Sequence, residues 1–437
     1  MEGNGIPVNV RFMFLAALIL AVCDSASALP VFARRYETSC TTCHAIIPKL
    51  NPFGIAFRNN GYRIPLAEEK LLKSQDVSLG APAWKQLWPK AVWPGKITGV
   101  PPVAFRVATD VNMRPSQPVN VNFDFPSFLS LYLVGPAGDT VSFFGSVFMF
   151  GATNTLVVDR AWAQFRLTPE KPGTNWAVLK VGRIDVRAEP FSSGYRRTTA
   201  QNFNISDYRP VADSVRMRDK DAGIELWGAA TGPDNRGGVE YAAGIVQGTG
   251  GAAENNNFKD MYWTASYKVG GHGVVGSRRE VDGEVPINSY AEKSLTFGTY
   301  GYRGKGVTRV TGPAVENQFT RAGGKVDAYI GNLNLFGAVV VGHDNIRDSA
   351  RRSIRSSAFY AEADYMLFPW LMPIVRFEKT NYSDGRRAVR QVLPAVNIAI
   401  RANVRVVVEG RLFNHLSPGG TARTGLNEGL ARLEFLF

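Results

Sequence analysis

From residue 102 onward the chain breaks into segments of roughly ten residues in which bulky apolar and polar side chains alternate with period two, the pattern of transmembrane β-strands. In Asn403–Phe413, Val404, Val406, Val408 and Leu412 fall on one face, while Asn403, Arg405, Glu409 and Arg411 fall on the other. Ala358–Leu367 divides the same way, with Phe359, Ala361, Ala363, Tyr365 and Leu367 opposite Tyr360, Glu362 and Asp364. One face suits lipid and the other water. The alternation predicts strands near 102–114, 126–134, 139–151, 154–168, 174–184, 221–230, 238–250, 258–270, 293–304, 316–330, 332–343, 356–367, 370–381, 388–401, 402–413 and 427–437. That is an all-β chain, an antiparallel transmembrane barrel of about 16 strands, and an even count leaves both barrel ends on the periplasmic side. A β-sandwich or propeller is the soluble alternative. The collection of charged residues on the faces that carry Gly and small polar groups fits a water-filled lumen better than a packed core.

Connector lengths agree with this register in most places. If the first strand runs outward, Gly135–Asp139, Thr168–Gly173, Thr231–Gly237, Phe368–Pro369 and Arg401–Ala402 are short inner turns. The long connectors Ile184–Asp219, Asp344–Ser356 and Asn414–Leu426 are then outer loops. Ala152–Thr153 is short where a long loop is expected, and Gly270–Glu292 is long on the inner side, where His272–Val281 is also a candidate hairpin arm. The last segment ends on Phe437, and a terminal Phe on an alternating strand is similar to the assembly signal of bacterial outer-membrane barrels.

Composition narrows the class further. The 437 residues are 45% hydrophobic and 20% charged, too apolar for a disordered chain, and one stretch alone is apolar enough to consider as a membrane helix, which excludes a polytopic helical protein. In that stretch Arg11 precedes the apolar run Phe12–Cys23, and Ala26-Ser27-Ala28 follows it. This order describes a secretory signal, residues 1–28, removed before Leu29. The run is too short for an anchor helix. Val22 is larger than the residue that usually precedes a lipoprotein cysteine such as Cys23.

The net charge of +13 becomes +14 without Glu2, Arg11 and Asp24. The basic balance fits nucleic acid in principle, but the chain has no binding motif and is exported, so no nucleic-acid partner is expected. Arg196-Arg197, Arg351-Arg352 with Arg355, and Arg386-Arg387 with Arg390 fall in expected outer loops, where they can hold lipid phosphates or simply be solvated.

Chemistry enters through the cysteines. There are three, and two form Cys40-Thr41-Thr42-Cys43-His44, the spacing of covalent c-type haem attachment. Thiols three residues apart reach two vinyl groups of one porphyrin edge, and the adjacent His supplies the proximal nitrogen to iron. No later cysteine completes a zinc ribbon, and no βαβ context supports a thioredoxin-like pair. A plain disulfide is the remaining alternative. Neither Met nor His lies between His44 and Met113, so the segment cannot supply its own usual sixth ligand. Either the iron is five-coordinate or bound by a weaker donor such as water, or a residue from the rest of the chain reaches in, and His272, His343 and His415 are the histidine candidates for that distal position. Pro48 and Pro52 bracket a turn, Gly54 permits close chain approach, and Leu50, Phe53 and Phe57 can pack on a porphyrin face or simply against the barrel wall. Asn60-Gly61 reads as a turn.

The expected organisation is a signal at 1–28, a short helical monohaem segment at 29–65, a connector at 66–101 with Trp84, Trp88 and Trp93, and a porin-like barrel at 102–437. A haem segment of about 35 residues has too little core to stand alone, so enclosure in or at the mouth of the lumen is expected. No catalytic triad, paired-carboxylate site, phosphate loop or acidic outer-loop metal cluster is recognisable.

Phe32-Ala33-Arg34, the haem box, Pro48-Lys49-Leu50-Asn51-Pro52-Phe53-Gly54 and Phe57-Arg58-Asn59-Asn60-Gly61-Tyr62 together resemble the fused monohaem cytochrome-porins of iron-oxidising bacteria. The motif similarity is confined to Phe32–Tyr62; over the barrel only length and pattern agree. The resemblance implies thioether positions at Cys40 and Cys43, a proximal ligand at His44 and one haem c. It also implies an outer-membrane location, Fe(II) as extracellular electron donor, and periplasmic cytochromes or other carriers as acceptors. Outward delivery of electrons, or a solute porin with a haem-bearing plug, are the alternative readings.

Overall fold

The computed structural model describes residues 31–64, 72, 77–78, 96–97, 99, 101–115, 118–150, 155–169, 171–188, 191, 195–211, 215–276, 290–308, 315–347, 351–385, 388–416, 423–424 and 427–437. Among them, sixteen long strands form one closed antiparallel barrel. In chain order these are β1 Val103–Met113, β2 Val121–Ala137, β3 Val141–Phe150, β4 Thr155–Arg166, β5 Thr174–Asp185, β6 Lys220–Thr231, β7 Arg236–Val246 and β8 Asp260–His272. They continue as β9 Glu292–Thr308, β10 Val315–Gly331, β11 Leu333–Arg347, β12 Ser353–Tyr365, β13 Leu371–Tyr382, β14 Ala388–Arg401, β15 Val404–Leu416 and β16 Glu428–Leu436. Neighbours in sequence pair with one another, and β16 closes on β1, with Phe437 N–H donating to Phe105 O at 2.7 Å and Phe105 N–H to Phe437 O at 2.8 Å. No helix among the described residues is long and apolar enough to cross a membrane. The strands form the crossing.

The two faces separate as the alternation requires. On β12, Tyr360, Glu362 and Asp364 are buried while Phe359 and Tyr365 are exposed; on β15, Arg405 and Glu409 are buried while Val408 and Leu412 are exposed. Exposed Leu131, Ile224, Phe297, Val341 and Val375 continue the apolar outer surface around the barrel. Inside, charges are paired: Arg432 Nε lies 2.7 Å from Asp110, and Arg405 Nη2 lies 3.0 Å from Glu434.

Several strands outrun their expected limits. The β9–β10 ladder continues to Thr308 opposite Val315, and β2 begins at Val121 where alternation suggested 126. Ladder hydrogen bonds persist beyond the lipid belt, where no apolar face is required, so hydropathy underestimates strand length. The long inner connector after β8 does not signal a register error. Val274 and Val275 turn back against Val178 and Trp227, and Val274 N–H donates to Gly237 O at 3.0 Å. Residues 151–154, 277–289 and 386–387 lie outside the described residues. So do the expected signal at 1–28 and most of the connector at 66–101, including Trp84, Trp88 and Trp93, although Val77–Ser78 pairs with Lys96–Ile97.

Two pieces of chain enter the barrel. The N-terminal segment carries α1 (Val31–Tyr36), a 3-10 turn at Cys40–Thr42, a small ladder of His44–Ile46 with Lys49–Leu50, and α2 (Pro52–Asn59). The β5–β6 connector carries α3 (Asn204–Asp207) and folds inward, burying Phe191, Phe203, Ile205 and Tyr208 against Tyr300, Phe336 and Tyr360. This corrects the expected placing of Arg196-Arg197 in an outer loop, whether on lipid phosphates or in water. Arg196 is buried at 3% exposure, 3.5 Å from Asp364 and 3.6 Å from Glu362, and Arg197 lines an internal cavity. Arg351, Arg352 and Arg355 do stay exposed.

Candidate functional site

The Cys40–His44 turn is built locally. Ser39 Oγ accepts from Thr41 N–H at 3.3 Å, and Cys43 N–H donates to Cys40 O at 3.2 Å, which places the two cysteines on one turn. Asn51 then ties this turn to α2. Its Oδ1 accepts from Gly54 N–H at 2.8 Å as the helix N-cap, with Pro52 pre-set for the first helical position. Its Nδ2 donates to Thr41 O at 3.1 Å and Thr42 O at 3.0 Å, and its N–H donates to Cys43 O at 3.0 Å. Asn-Pro before an apolar helix is a readable capping signal; the reach back to the cysteine turn is not.

His44 Nδ1 sits 3.2 Å from Pro48 O. An N–H on Nδ1 directed at that carbonyl makes Nε2 the lone-pair nitrogen, the arrangement by which second-shell contacts orient a metal-binding imidazole. Burial pushes His44 down to about 4, so the ring is neutral near pH 7. Burial also pushes the Cys40 thiol up to about 11 and the Cys43 thiol up to about 12. Both thiols are free of a disulfide.

The segment is fastened to the barrel by polar and apolar contacts together. Lys49 Nζ donates to Asp364 Oδ1 at 2.6 Å and Asn334 Oδ1 at 2.8 Å, all three buried. Asn59 Nδ2 donates to Val274 O at 2.8 Å and Glu240 Oε2 at 3.1 Å, and Arg187 donates to Asn59 Oδ1. Arg34 reaches Val103 O at 2.6 Å, and Arg58 lies 4.2 Å over the Tyr195 ring. Phe53 and Phe57, 1% and 4% exposed, pack with Val31, Tyr36 and Tyr62 against Ala104 and Val134 of the wall. Burying each ring contributes roughly 2–3 kcal/mol.

Between the segment, the wall and the infolded connector lies a cavity of about 480 Å³. Cys40, Cys43 and His44 line it, as do Leu50, Phe53 and Phe57. The wall contributes Phe144 and Trp162, stacked at 5.6 Å, and the connector contributes Tyr195, Arg197 and Phe203. Of the expected distal histidines, His272 and His343 do not line it. His272 ends β8 with its ring edge-on to Phe53 at 6.3 Å, and it is not a lining residue. His343 is exposed on the outer face, with Nε2 2.8 Å from Ser353 Oγ. His415 belongs to β15, paired with Val389 and Arg423; its side chain lies outside the described residues. Among the described residues no three His, Cys, Asp or Glu side chains gather as a metal site.

No family model and no curated protein matches the sequence. Solved structures do match the fold. OmpT of Vibrio cholerae, an outer-membrane protein, aligns with TM-score 0.50 and 11% identity over 83% of this chain and 100% of its own. An anion-selective porin from Comamonas acidovorans aligns with TM-score 0.51 and 9% identity over 77% and 98%. The fold is that of an outer-membrane porin. In this porin-type barrel the described part of the lumen holds an N-terminal segment on the inner side and an infolded connector above it, with the cysteine-lined cavity between them.

Proposed function

We propose that this porin-type barrel carries one c-type haem and transfers electrons across the bacterial outer membrane. The supporting observation is that the Cys40–His44 turn faces a cavity inside the barrel, enclosed by the segment itself and by the infolded connector. The residues present fit the group. Two free thiols on one turn meet the attachment spacing, His44 offers Nε2 as proximal donor, and Leu50, Phe53, Phe57, Phe144 and Trp162 provide apolar walls. A cavity of this volume falls in the range used for small-molecule and cofactor sites. Bound there, a haem supplies a one-electron iron couple that divides a hydrocarbon barrier about 30 Å thick.

The roles of the chain's own residues follow. Cys40 and Cys43 hold the group, His44 orients toward its iron, and Asn51 fixes the turn. The aromatic walls exclude water. The proposed donor is extracellular Fe(II) or a similar reductant, and the proposed acceptors are periplasmic cytochromes or other carriers. At most, then, the protein is an Fe(II)-oxidising outer-membrane cytochrome.

Purified protein should retain haem through denaturation. Rapid mixing with Fe(II) should turn the haem spectrum from ferric to ferrous. A haem that Fe(II) does not reduce at any pH, but that passes electrons to an extracellular oxidant, reverses the direction. A second reading, a solute porin with the segment as plug, draws on the fold shared with porins. Open-pore conductance of the intact protein in planar bilayers would favour it.

A further inference from the structure

Seven cations besides Arg106 line the cavity; Arg58 lies over the Tyr195 ring, and five others are already committed to carboxylates. Lys180 lies 2.7 Å from Glu225, Arg187 3.0 Å from Glu240, Lys220 3.4 Å from Asp159, Arg160 3.6 Å from Asp185 and Arg218 2.5 Å from Asp207. Arg197 is the exception. Its polar contact is a long 3.5 Å bond from Nη1 to Asn202 Oδ1, and its Nε is buried with no acceptor among the described residues. Glu434, the carboxylate that acts on it, is held by Arg106 at 2.7 Å and Arg405 at 3.0 Å. Burial, with Arg106, Arg405 and Arg432 acting in the same direction, pushes Arg197 down to about 9. A guanidinium does not shed its proton near neutrality, so this strain is a demand for an anion.

The same side of the cavity holds a second unmet donor. Arg106 is 7% exposed, lines the cavity over the Phe128 ring and near Tyr132, and spends Nε on Glu434, while Nη2 is buried without a hydrogen-bond partner among the described residues. Two guanidinium groups with free, buried N–H on one cavity suit two carboxylates. An anionic ligand would satisfy both groups at once.

We infer that Arg197 and Arg106 form a clamp for the two propionate carboxylates of the haem, so that the infolded connector closes over the cofactor through its charge. This rests on the haem reading. A positive group near the propionates favours the ferrous state, and its removal favours the ferric state.

The test is a potentiometric titration of the haem bands in purified, detergent-solubilised protein. Arg197→Gln should shift the ferric-to-ferrous ratio at fixed potential roughly tenfold toward ferric, a midpoint lower by about 59 mV. Arg197→Lys should restore most of the shift, and Arg347→Gln, on the exposed outer rim, should leave the midpoint unchanged. Arg106→Gln should act in the same direction as Arg197→Gln, with gel heat-modifiability verifying that the barrel has folded. Unchanged midpoints in both Gln variants with covalent haem intact would overturn the clamp while leaving the haem reading standing. Absence of covalent haem from the wild-type protein overturns both.

Discussion

The backbone of Gly54, in the first turn of α2, packs directly against the carbonyl group of Cys43. A Cβ at residue 54 would overlap that oxygen and also meet the Leu50 side chain. The close approach is what lets Asn51 cap the helix and hold the cysteine turn together. Gly54→Ala should therefore displace Cys43 and destabilise the segment by about 1–3 kcal/mol. The expected readout is reduced covalent haem with normal barrel assembly; full haem loading would refute the role assigned to this contact.

Lys49 is a fully buried polar fastening of the segment. Lys49→Met removes a buried ammonium from Asp364, which among the described residues keeps the longer contact to Arg196. Breaking one partner of a buried pair costs about 3 kcal/mol or more. Hydrogen exchange should show residues 31–64 opening much more readily than in the wild type while barrel strands stay protected. Unchanged protection of the segment would show that the apolar contacts suffice.

The thiols should be inert once the segment is docked without haem. Their pKa values are raised, so the unreactive protonated form persists until the pH approaches about 11 to 12. Alkylation of apo barrel at pH 8 should be far slower than of the unfolded chain and should rise with pH. On the haem proposal, attachment is therefore expected to precede docking. Apo barrel that alkylates at the rate of a free cysteine, or takes up haem covalently after assembly, contradicts this order.

Deleting residues 31–64 should convert the barrel into a conducting pore. The segment spans contacts from Arg34 at Val103 to Lys49 at Asp364 and Asn59 at Val274, on three separated parts of the wall. Planar-bilayer recordings should show larger single-channel conductance in the deletion variant than in the intact protein. Equal conductance would place the ion path elsewhere.

Alternation with period two is a local record of a strand with lipid on one side and water on the other, and each strand writes it independently. For that reason the strand number and the faces of β12 and β15 were legible without the tertiary structure. The Cys40–His44 spacing is equally local. What only the tertiary structure decided are pairings between chain regions far apart in sequence, which leave no periodic trace. Arg196 and Arg197 read as outer-loop charge until the connector is seen folded inward, and Lys49 is indistinguishable from a surface lysine until Asn334 and Asp364 are beside it. His272 and His343 could be named as ligand candidates from residue type, but their positions on the barrel depend on where strands β8 and β11 place them around the wall. Local side-chain chemistry determined what the chain can bind and span; closure of the barrel determined which groups meet, because contact across a lumen is set by the ring and not by neighbours along the chain.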